Sequence, residues 1–406
     1  MLDITEIRKD FPFFDKYTLA YLDNSATTQR PRQVIEAEAD YYYYHNSNPF
    51  RGLYELSIDA TERYEEARRK TAAFIHASSE KEIIFTRNAS ESLNLVAYSL
   101  SELCLHEGDE IITTVVEHHS NMLPWTHAAA RHGATAKFLE CEEDGSFSIE
   151  KYKSLLTNRT KIVAMTAMSN IFGRLIDIRQ FADLAHETGA YFVADGAQSV
   201  PHSKTDVQAM GVDFLAFSGH KLLAPMGIGV LYGRQALLEQ MPPFLTGGEM
   251  IEYVSLDSVT YADLPHKFEA GTVNAGAAVG LGAAIDYLTG IGLDQIEARE
   301  QMLTEMAFDG LKKIPHVQVL GSNQAKDHHG ILTFKIDGVH PHDIAAIIAD
   351  ADVAVRAGHH CAEPLHQFIG IPSTTRASLM FYNAEEEVQR FLDIVKDIRP
   401  MMGYQE

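Results

Sequence analysis

Cysteine is scarce in this sequence, which has only Cys104, Cys141 and Cys361 among 406 residues. Three scattered thiols cannot form the dense disulfide framework that holds small secreted domains together. A zinc site built from paired cysteines is also excluded, because no two cysteines lie at the short spacing that such sites use. A functional cysteine in this chain therefore acts alone.

Positive charge and long apolar runs are also in short supply. The sequence has 34 lysines and arginines against 56 aspartates and glutamates, which gives a net charge of −22. It contains no compact basic cluster that could bind a phosphate backbone. Nucleic acid and anionic membrane are therefore poor candidate partners. Charges interrupt the N-terminal "MLDITEIRKDFPFFDKY", unlike a signal peptide, and no window reaches the roughly 18 apolar residues of a membrane span. We expect a cytoplasmic protein.

From about residue 80 to 235 the sequence alternates short apolar runs with helix-length amphipathic stretches. This alternation is typical of an α/β domain with a largely parallel sheet. The helical stretches are "SESLNLVAYSL", "NMLPWTHAAARHG" and "IRQFADLAHETG". Seven runs predict strands: "EIIFT", "DEIITTVVE", "TAKFLE", "KIVAMTAMS", "AYFVAD", "DFLAFS" and "GIGVLYG".

A second region begins near Gly290 with the long helical stretch "LDQIEAREQMLTEMAFDGLKKI". The strands "GILTFKI" and "VAVRAG" follow, and a last helix starts at Glu385, which predicts a smaller α+β domain. We therefore divide the chain into a large domain of residues 21–288 and a small domain of residues 1–20 and 289–406. The run Tyr41 to Tyr44 is expected to pack as an aromatic cluster.

Polar residues follow four of the predicted strands, at the point where each strand ends. They are "EHHSN", the "SN" at 169–170, "DGAQS" and "SGHK". Because ligands bind outside the carboxyl ends of the strands in an open parallel sheet, these four ends predict one shared crevice.

Asp195 and Lys221 follow two of these strands, and the pair suits pyridoxal phosphate. A carboxylate next to the pyridinium nitrogen keeps the ring an electron sink, and a lysine holds the cofactor's aldehyde covalently. Taken alone, Lys221 would more commonly be a solvated loop residue. Asn88 to Ser90, at a strand-to-helix turn, suit a phosphate, although a simple helix cap is the alternative.

The ordered motifs "YLDNSATT", "EHHSN", "DGAQS", "SGHK", "GGEMI", "FEAGTVNAG", "RAGHHCAEPL" and "TRASLMFYN" resemble the class V aminotransferase-like family. Within it they resemble the SufS-type cysteine desulfurases, from about Tyr21 to Asn383. The resemblance implies the type I fold of pyridoxal-phosphate-dependent transferases. In this α/β fold, a large domain with a mostly parallel seven-stranded sheet joins a smaller α+β C-terminal domain. A homodimer and conversion of L-cysteine to L-alanine, with sulfur supplied for iron-sulfur cluster assembly, are also implied.

The resemblance assigns roles position by position. Lys221 would bind the cofactor covalently, Asp195 its ring nitrogen and Gln198 its ring hydroxyl, while His118 would stack on the ring and carry protons. The residues implied for the phosphate are Ala89, Ser90, Ser218, His220 and, from the other subunit, Thr272. The residues implied for the substrate carboxylate are Arg376 and, as secondary candidates, Asn170 and Arg356. Without the family, Arg376 would be interpreted as a surface ion pair and Ser218 and His220 as a polar turn.

Cys361 can be interpreted as a metal ligand, a structural thiol or a nucleophile. No paired ligands favour a metal, and we accept a structural role for Cys104 and Cys141. Around Cys361, Arg356, His359 and His360 can stabilise a thiolate. We therefore predict that Cys361 takes sulfur from the substrate as a persulfide.

Several alternatives stay open. A selenocysteine lyase or a cysteine sulfinate desulfinase would share almost every site residue, and a non-catalytic sulfur-transfer scaffold would keep the fold alone.

The sulfur acceptor is expected to be a SufU-like or SufE-like protein. The "HPHD" at His340 to Asp343 resembles desulfurases that use zinc-bearing SufU, with two surface histidines at a helix start as the alternative.

Overall fold

The computed structural model describes residues 2–404 of the chain. Residues 1, 405 and 406, which the predicted small domain includes, lie outside the described residues. The helices are α1 Ile4–Lys9, α2 Pro12–Lys16, α3 Arg32–Asp40, α4 Glu55–Phe74, α5 Ala89–Cys104, α6 Leu123–His132, α7 Ile149–Leu155, α8 Ile178–Glu187, α9 Val207–Met210, α10 Gln235–Gln240, α11 Ala275–Ile291, α12 Leu293–Lys313, α13 Pro341–Asp350, α14 Glu363–Phe368 and α15 Glu385–Met401.

The strands form one large sheet, one smaller sheet and two strand pairs. They are β1 Ala20–Tyr21, β2 Ile83–Thr86, β3 Glu110–Thr114, β4 Thr135–Leu139, β5 Thr160–Thr166, β6 Tyr191–Asp195, β7 Phe214–Ser218, β8 Gly229–Gly233, β9 Ile251–Val254, β10 Val259–Tyr261, β11 Val317–Val319, β12 Ile331–Ile336, β13 Val353–Ala354, β14 Arg356–Gly358 and β15 Thr374–Ser378.

The large sheet has seven strands in the order β2-β8-β7-β6-β5-β3-β4. Strands β4, β3, β5, β6 and β7 pair in parallel, and β8 is antiparallel to both of its neighbours. All seven predicted strands are therefore present in a mostly parallel sheet, and that prediction is confirmed.

Both faces of this sheet are covered by helices. Ile112, Val163 and Phe192 belong to the core cluster that includes residues of α4, α8 and α11. Their neighbours Ile111, Ile162 and Val193 belong to the opposite cluster, with α5 and α6. Because successive side chains of a strand alternate between faces, a strand buried on both sides needs an uninterrupted apolar run.

The smaller sheet is antiparallel, in the order β11-β12-β15-β14, and shares a core cluster with α12, α13 and α15. The run "VAVRAG", predicted as one strand, is divided between two partners. Strand β13 pairs with β1, whereas β14 pairs with β15. This change of partner places Arg356 directly opposite Arg376.

Helix α11 packs closely against its neighbours because it is rich in glycine. A Cβ at Gly276 would lie 2.6 Å from the ring of Tyr42, and one at Gly280 would lie 2.4 Å from Pro225. Within residues 2–404 no single helix is long and apolar enough to cross a membrane. Helices α11 and α12 meet those limits only as a pair, with a 77° bend between them.

The predicted aromatic cluster at Tyr41 to Tyr44 takes the form of two ring pairs, of which only Tyr41 is buried. Tyr41 is buried, and its ring lies 5.5 Å from that of Tyr42. Tyr43 and Tyr44 are 78% and 72% exposed, because the π-helical turn that continues α3 carries them away from the core.

A buried ion pair links helix α4 to the segment after β10. Arg68 is fully buried and donates to both carboxylate oxygens of Glu269, at 2.6 and 2.9 Å. The same carboxylate accepts from the Phe85 backbone N–H at 2.7 Å and from the Tyr64 hydroxyl at 2.8 Å. These contacts fix the residue that precedes the Ala270–Thr272 turn.

We expect Glu269→Gln to lower the free energy of unfolding by about 3 kcal/mol, because Arg68 loses its buried counter-charge and retains only the partly exposed Glu65. Urea denaturation measures the change. Asp183→Asn, which breaks the exposed pair with Arg179, is the matched control and should change stability by less than about 1 kcal/mol. Equal losses in the two variants would contradict the prediction.

Candidate active site

A cavity of about 330 Å³ lies at the carboxyl ends of β3, β5, β6 and β7. These are adjacent strands in the sheet, so the four polar strand ends meet there. Apart from Thr272, the predicted site residues all line it: Ala89, Ser90, His118, Asn170, Asp195, Gln198, Ser218, His220, Lys221, Arg356, Cys361 and Arg376.

Lys221 and Asp195 stand on neighbouring strand ends. Asp195 is the last residue of β6, and Lys221 closes the short turn after β7. Burial raises the pKa of Asp195, against the effect of a hydrogen bond from the Ala197 N–H and of the Lys221 charge. Burial, helped by the Arg376 charge and opposed by Asp195, lowers the pKa of Lys221 to about 8. A larger fraction of the amine than usual is therefore neutral and nucleophilic near neutral pH.

The start of helix α5 forms a cradle for an anion. Asn88 caps the helix by accepting from the Glu91 N–H at 3.0 Å, and the Ala89 N–H donates to the Ser218 hydroxyl at 2.8 Å. Gly229 makes this approach possible, because a Cβ there would lie 2.4 Å from Asn88 Cα. The N–H groups and the helix dipole favour negative charge at this end of the cavity.

His118 and Gln198 approach the cavity from β3 and β6. His118 Nδ1 accepts from the Ser120 N–H at 3.1 Å, so the neutral ring carries its proton on Nε2. Burial and the nearby Lys221 charge lower the pKa of His118 to about 3. Gln198 is buried, and its side-chain amide donates to the Ser25 carbonyl at 3.1 Å. Both side chains are thus uncharged at neutral pH.

Arg376 lies on β15 and is buried. Its Nη1 donates to the Asn170 carbonyl at 3.0 Å, and its Nη2 lies 3.8 Å from Asp23 Oδ1. Burial lowers the pKa of Arg376 to about 10, so it remains a cation at neutral pH. Its Nε–H has no hydrogen-bond partner within residues 2–404. A buried guanidinium with an unused donor is suited to bind an anion.

Cys361 lies in the short connection between β14 and α14, and its side chain is exposed at the cavity. His360 and Cys361 both have positive φ, 52° and 57°, which costs energy for residues other than glycine. Two hydrogen bonds hold this strained segment: the His119 N–H donates to the Cys361 carbonyl, and the Asn170 side chain to the His360 carbonyl, both at 2.8 Å.

The charge around Cys361 differs from the sequence-based expectation. His360 is buried against Thr374, and burial, with the charge of Arg376, lowers its pKa to about 2. It is therefore neutral at neutral pH and does not supply a positive charge to the thiolate. The cations that line this end of the cavity are Arg356 and Arg376.

Two carboxylates beside the cavity were missed by sequence reasoning. Glu117 is buried and accepts from the Thr114 hydroxyl and the Asn121 amide at 2.7 Å, and from the Thr166 N–H at 2.9 Å. Burial raises its pKa to about 8. Glu117 thus ties the ends of β3 and β5 together, next to His118. Asp23 is bound to Arg356. Glu117 belongs to the motif "EHHSN" and Asp23 to the motif "YLDNSATT". Membership of these motifs was the only signal in the sequence that could have indicated either residue.

Thr272 lies away from this cavity. It is exposed and lines a second cavity, with Arg87 and Phe244. Its assignment to the phosphate of another subunit stays a prediction.

The "HPHD" histidines lie at the start of α13. His340 caps this helix, its Nδ1 accepting from the His342 N–H at 3.2 Å, and both rings are exposed. This agrees with two surface histidines at a helix start. In the part of the chain that the structure describes, no group of three His, Cys, Asp or Glu residues is placed to hold a metal ion.

Several known proteins resemble this chain in both sequence and fold. The aminotransferase class-V family matches residues 20–391. A probable cysteine desulfurase of Streptomyces coelicolor is 45% identical over 99% of both chains. Among solved structures, a cysteine desulfurase from Thermococcus onnurineus superposes with a TM-score of 0.94 at 41% identity, over 98% of both chains. The cysteine desulfurase CsdA from Escherichia coli has a TM-score of 0.92 at 36% identity, over 99% of both chains.

These likenesses span nearly the whole length of every chain compared. They confirm the predicted α/β fold of pyridoxal-phosphate enzymes, with its large, mostly parallel seven-stranded sheet. They also confirm the predicted family, and the chain belongs to the class-V aminotransferases.

Proposed function

We propose that this protein is a pyridoxal-phosphate-dependent cysteine desulfurase that converts L-cysteine to L-alanine and holds the sulfur as a persulfide on Cys361. The observation that carries the proposal is that one cavity brings Lys221, Asp195, Arg376 and Cys361 together. Relatives named cysteine desulfurases, 45% identical over nearly the whole chain, support it.

The residues that line the cavity fit pyridoxal phosphate. The cradle at Ala89 and Ser90, with Ser218 and His220, suits the phosphate, because helix α5 begins there and the two other side chains add polar groups to the same wall of the cavity. Lys221 would bind the aldehyde and Asp195 the ring nitrogen. Gln198 would contact the ring hydroxyl and His118 the ring face, and both line the cavity. When bound, the cofactor supplies an electron sink for the substrate's Cα.

Side chains of the protein would bind the substrate, transfer its proton and receive its sulfur. Arg376 would bind the substrate carboxylate through its guanidinium, with Asn170 and Arg356 beside it. The neutral amine of Lys221 would accept the Cα proton, and a pKa of about 8 suits that task. The Cys361 thiolate would attack the substrate sulfur. The bond between the sulfur and Cβ breaks as a bond to Cys361 Sγ forms, and the electron pair of the broken bond stays with the three-carbon unit. Cβ then takes up a proton and Cα regains the proton that Lys221 accepted, which gives alanine.

The proposal extends to a homodimer and a sulfur acceptor. Apolar side chains such as Tyr43, Tyr44, Leu53 and Leu256 are exposed, which favours a second copy as their cover. Thr272 would then complete the phosphate site of that copy. Because Cys361 is exposed, a SufU-like or SufE-like acceptor can reach it, and iron-sulfur cluster assembly is the proposed destination of the sulfur.

The proposal also keeps the division into two domains. Residues 21–288 would form the cofactor-binding domain, and residues 1–20 with 289–406 the small domain that carries the Cys361 segment. The separate seven-stranded and four-stranded sheets support this division.

The test is incubation of the protein with pyridoxal phosphate and L-cysteine. We expect alanine, and sulfur added to the protein in intact-mass spectra, mapped by digestion to the peptide that contains Cys361. L-Serine, which carries no sulfur, is the control. Absence of alanine would contradict the proposed function. Sulfur mapped to Cys104 or Cys141 instead would contradict the role of Cys361.

A further inference from the structure

Asp23 connects the two arginines of the cavity. Its carboxylate accepts from Arg356 Nη2 at 2.8 Å and from Arg356 Nε at 3.1 and 3.2 Å. Its Oδ1 also lies 3.8 Å from Arg376 Nη2. One carboxylate is therefore shared by a half-exposed and a buried guanidinium.

The backbone fixes the position of Asp23. The Ser378 N–H donates to the Leu22 carbonyl at 2.7 Å, and the Ser378 carbonyl accepts from the Asn24 backbone N–H at 3.4 Å and from the Asn24 side-chain amide at 2.8 Å. These bonds bracket Asp23 and attach it to the end of β15, two residues beyond Arg376. The backbone at Asp23 therefore keeps its place even if the long Arg356 side chain moves.

The two arginines need such a partner. Arg356 and Arg376 stand directly opposite each other on antiparallel strands, where like charges repel. Asp195, at the Lys221 end, is the only carboxylate among the described residues that line the cavity. Asp23 offsets one of the two arginine charges, so these three side chains together carry one net positive charge where the substrate carboxylate would bind.

We propose that Asp23 sets substrate specificity by leaving the Arg356–Arg376 pair with one net positive charge. This inference rests on the proposed desulfurase function and refines it. L-Cysteine, with one carboxylate and a neutral thiol, matches that charge. L-Cysteine sulfinate carries a second anionic group on its side chain, which finds no second uncompensated cation. Asp23 is a positioning residue in this scheme, since it acts through the arginines.

The experiment compares kcat/KM for L-cysteine sulfinate with kcat/KM for L-cysteine, both measured by alanine formation. In Asp23→Asn the ratio should rise about tenfold, the effect of one unit charge several ångströms away in a partly shielded site. In Arg356→Gln, which removes a cation at an exposed side chain, the ratio should fall by a similar factor. A purely structural role would lower both kcat/KM values alike and leave the ratio unchanged.

Asp183→Asn is the control, because it removes an ion-paired carboxylate on α8, outside the cavity, and should leave the ratio at the parent value. An unchanged ratio in Asp23→Asn would overturn the inference while the parent still converts cysteine. If that variant does not fold, Arg356→Gln decides, and an unchanged ratio there overturns it. A parent protein that forms no alanine from cysteine would instead refute the proposed function, and the inference with it.

Discussion

Lys221→Ala is expected to lower alanine formation from L-cysteine by about 10⁴-fold, the largest loss of any single substitution considered. The change removes the amine that would bind the cofactor and accept the Cα proton. Asp195, His118 and Arg376 keep their positions, since none of them hydrogen-bonds to Lys221. Chromatographic quantification of alanine measures the effect. After borohydride treatment, the parent should retain the mass of the cofactor and the variant should not.

Lys204→Ala is the control for this variant. Lys204 pairs with Asp294 on the surface and is 66% exposed, so its loss should change neither alanine formation nor the borohydride-fixed mass. If Lys221→Ala kept about a tenth of the parent rate, Lys221 could not be the proton acceptor. If it kept the borohydride-fixed mass, another lysine would have to bind the cofactor.

The large sheet was predictable because its signals are local. A parallel strand covered on both faces must be apolar throughout, so each of the seven strands stands out as a short run such as "AYFVAD". Parallel strands also end at one edge, and the polar residues that follow four of them consequently meet. The position of Lys221 near Asp195 follows from those two facts alone.

The parts that could not be predicted depend on contacts between distant segments. Asp23 meets Arg356 and Arg376 only because β1 pairs with β13 and residue 23 bridges to Ser378. The division of "VAVRAG" into two strands has the same cause. Composition also does not reveal which of four successive tyrosines is buried, because burial depends on where the π-helical turn leaves α3.

The charge around Cys361 also could not be predicted from the sequence, because it depends on which way one side chain is directed. The sequence places two histidines before the cysteine, which suggests positive charge. In the structure the backbone turns through two residues of positive φ, and His360 is directed into the protein, where it is neutral. The same turn exposes the thiol of Cys361 at the cavity. Strain in this segment thus has a function in the proposed reaction: it separates a buried histidine from an exposed nucleophile.

Cys361→Ser should remove the persulfide and lower sulfur release from L-cysteine by at least about 10²-fold, because a hydroxyl is a far weaker nucleophile than a thiolate. The cofactor should remain, since the Lys221 end of the cavity makes no hydrogen bond to Cys361. The persulfide is measured by intact mass, and cofactor retention by the borohydride-fixed mass. Loss of both would mean that the substitution disturbed the whole site.

Cys104→Ser provides the matched thiol control. Cys104 ends helix α5, where burial raises the pKa of its thiol to about 12, so it should neither carry sulfur nor affect the rate. Sulfur release at the parent rate in Cys361→Ser would show that the substrate sulfur leaves without this thiol, as expected of a lyase. A low rate with the cofactor retained would separate the two ends of the cavity, with Lys221 activating the substrate and Cys361 receiving its sulfur.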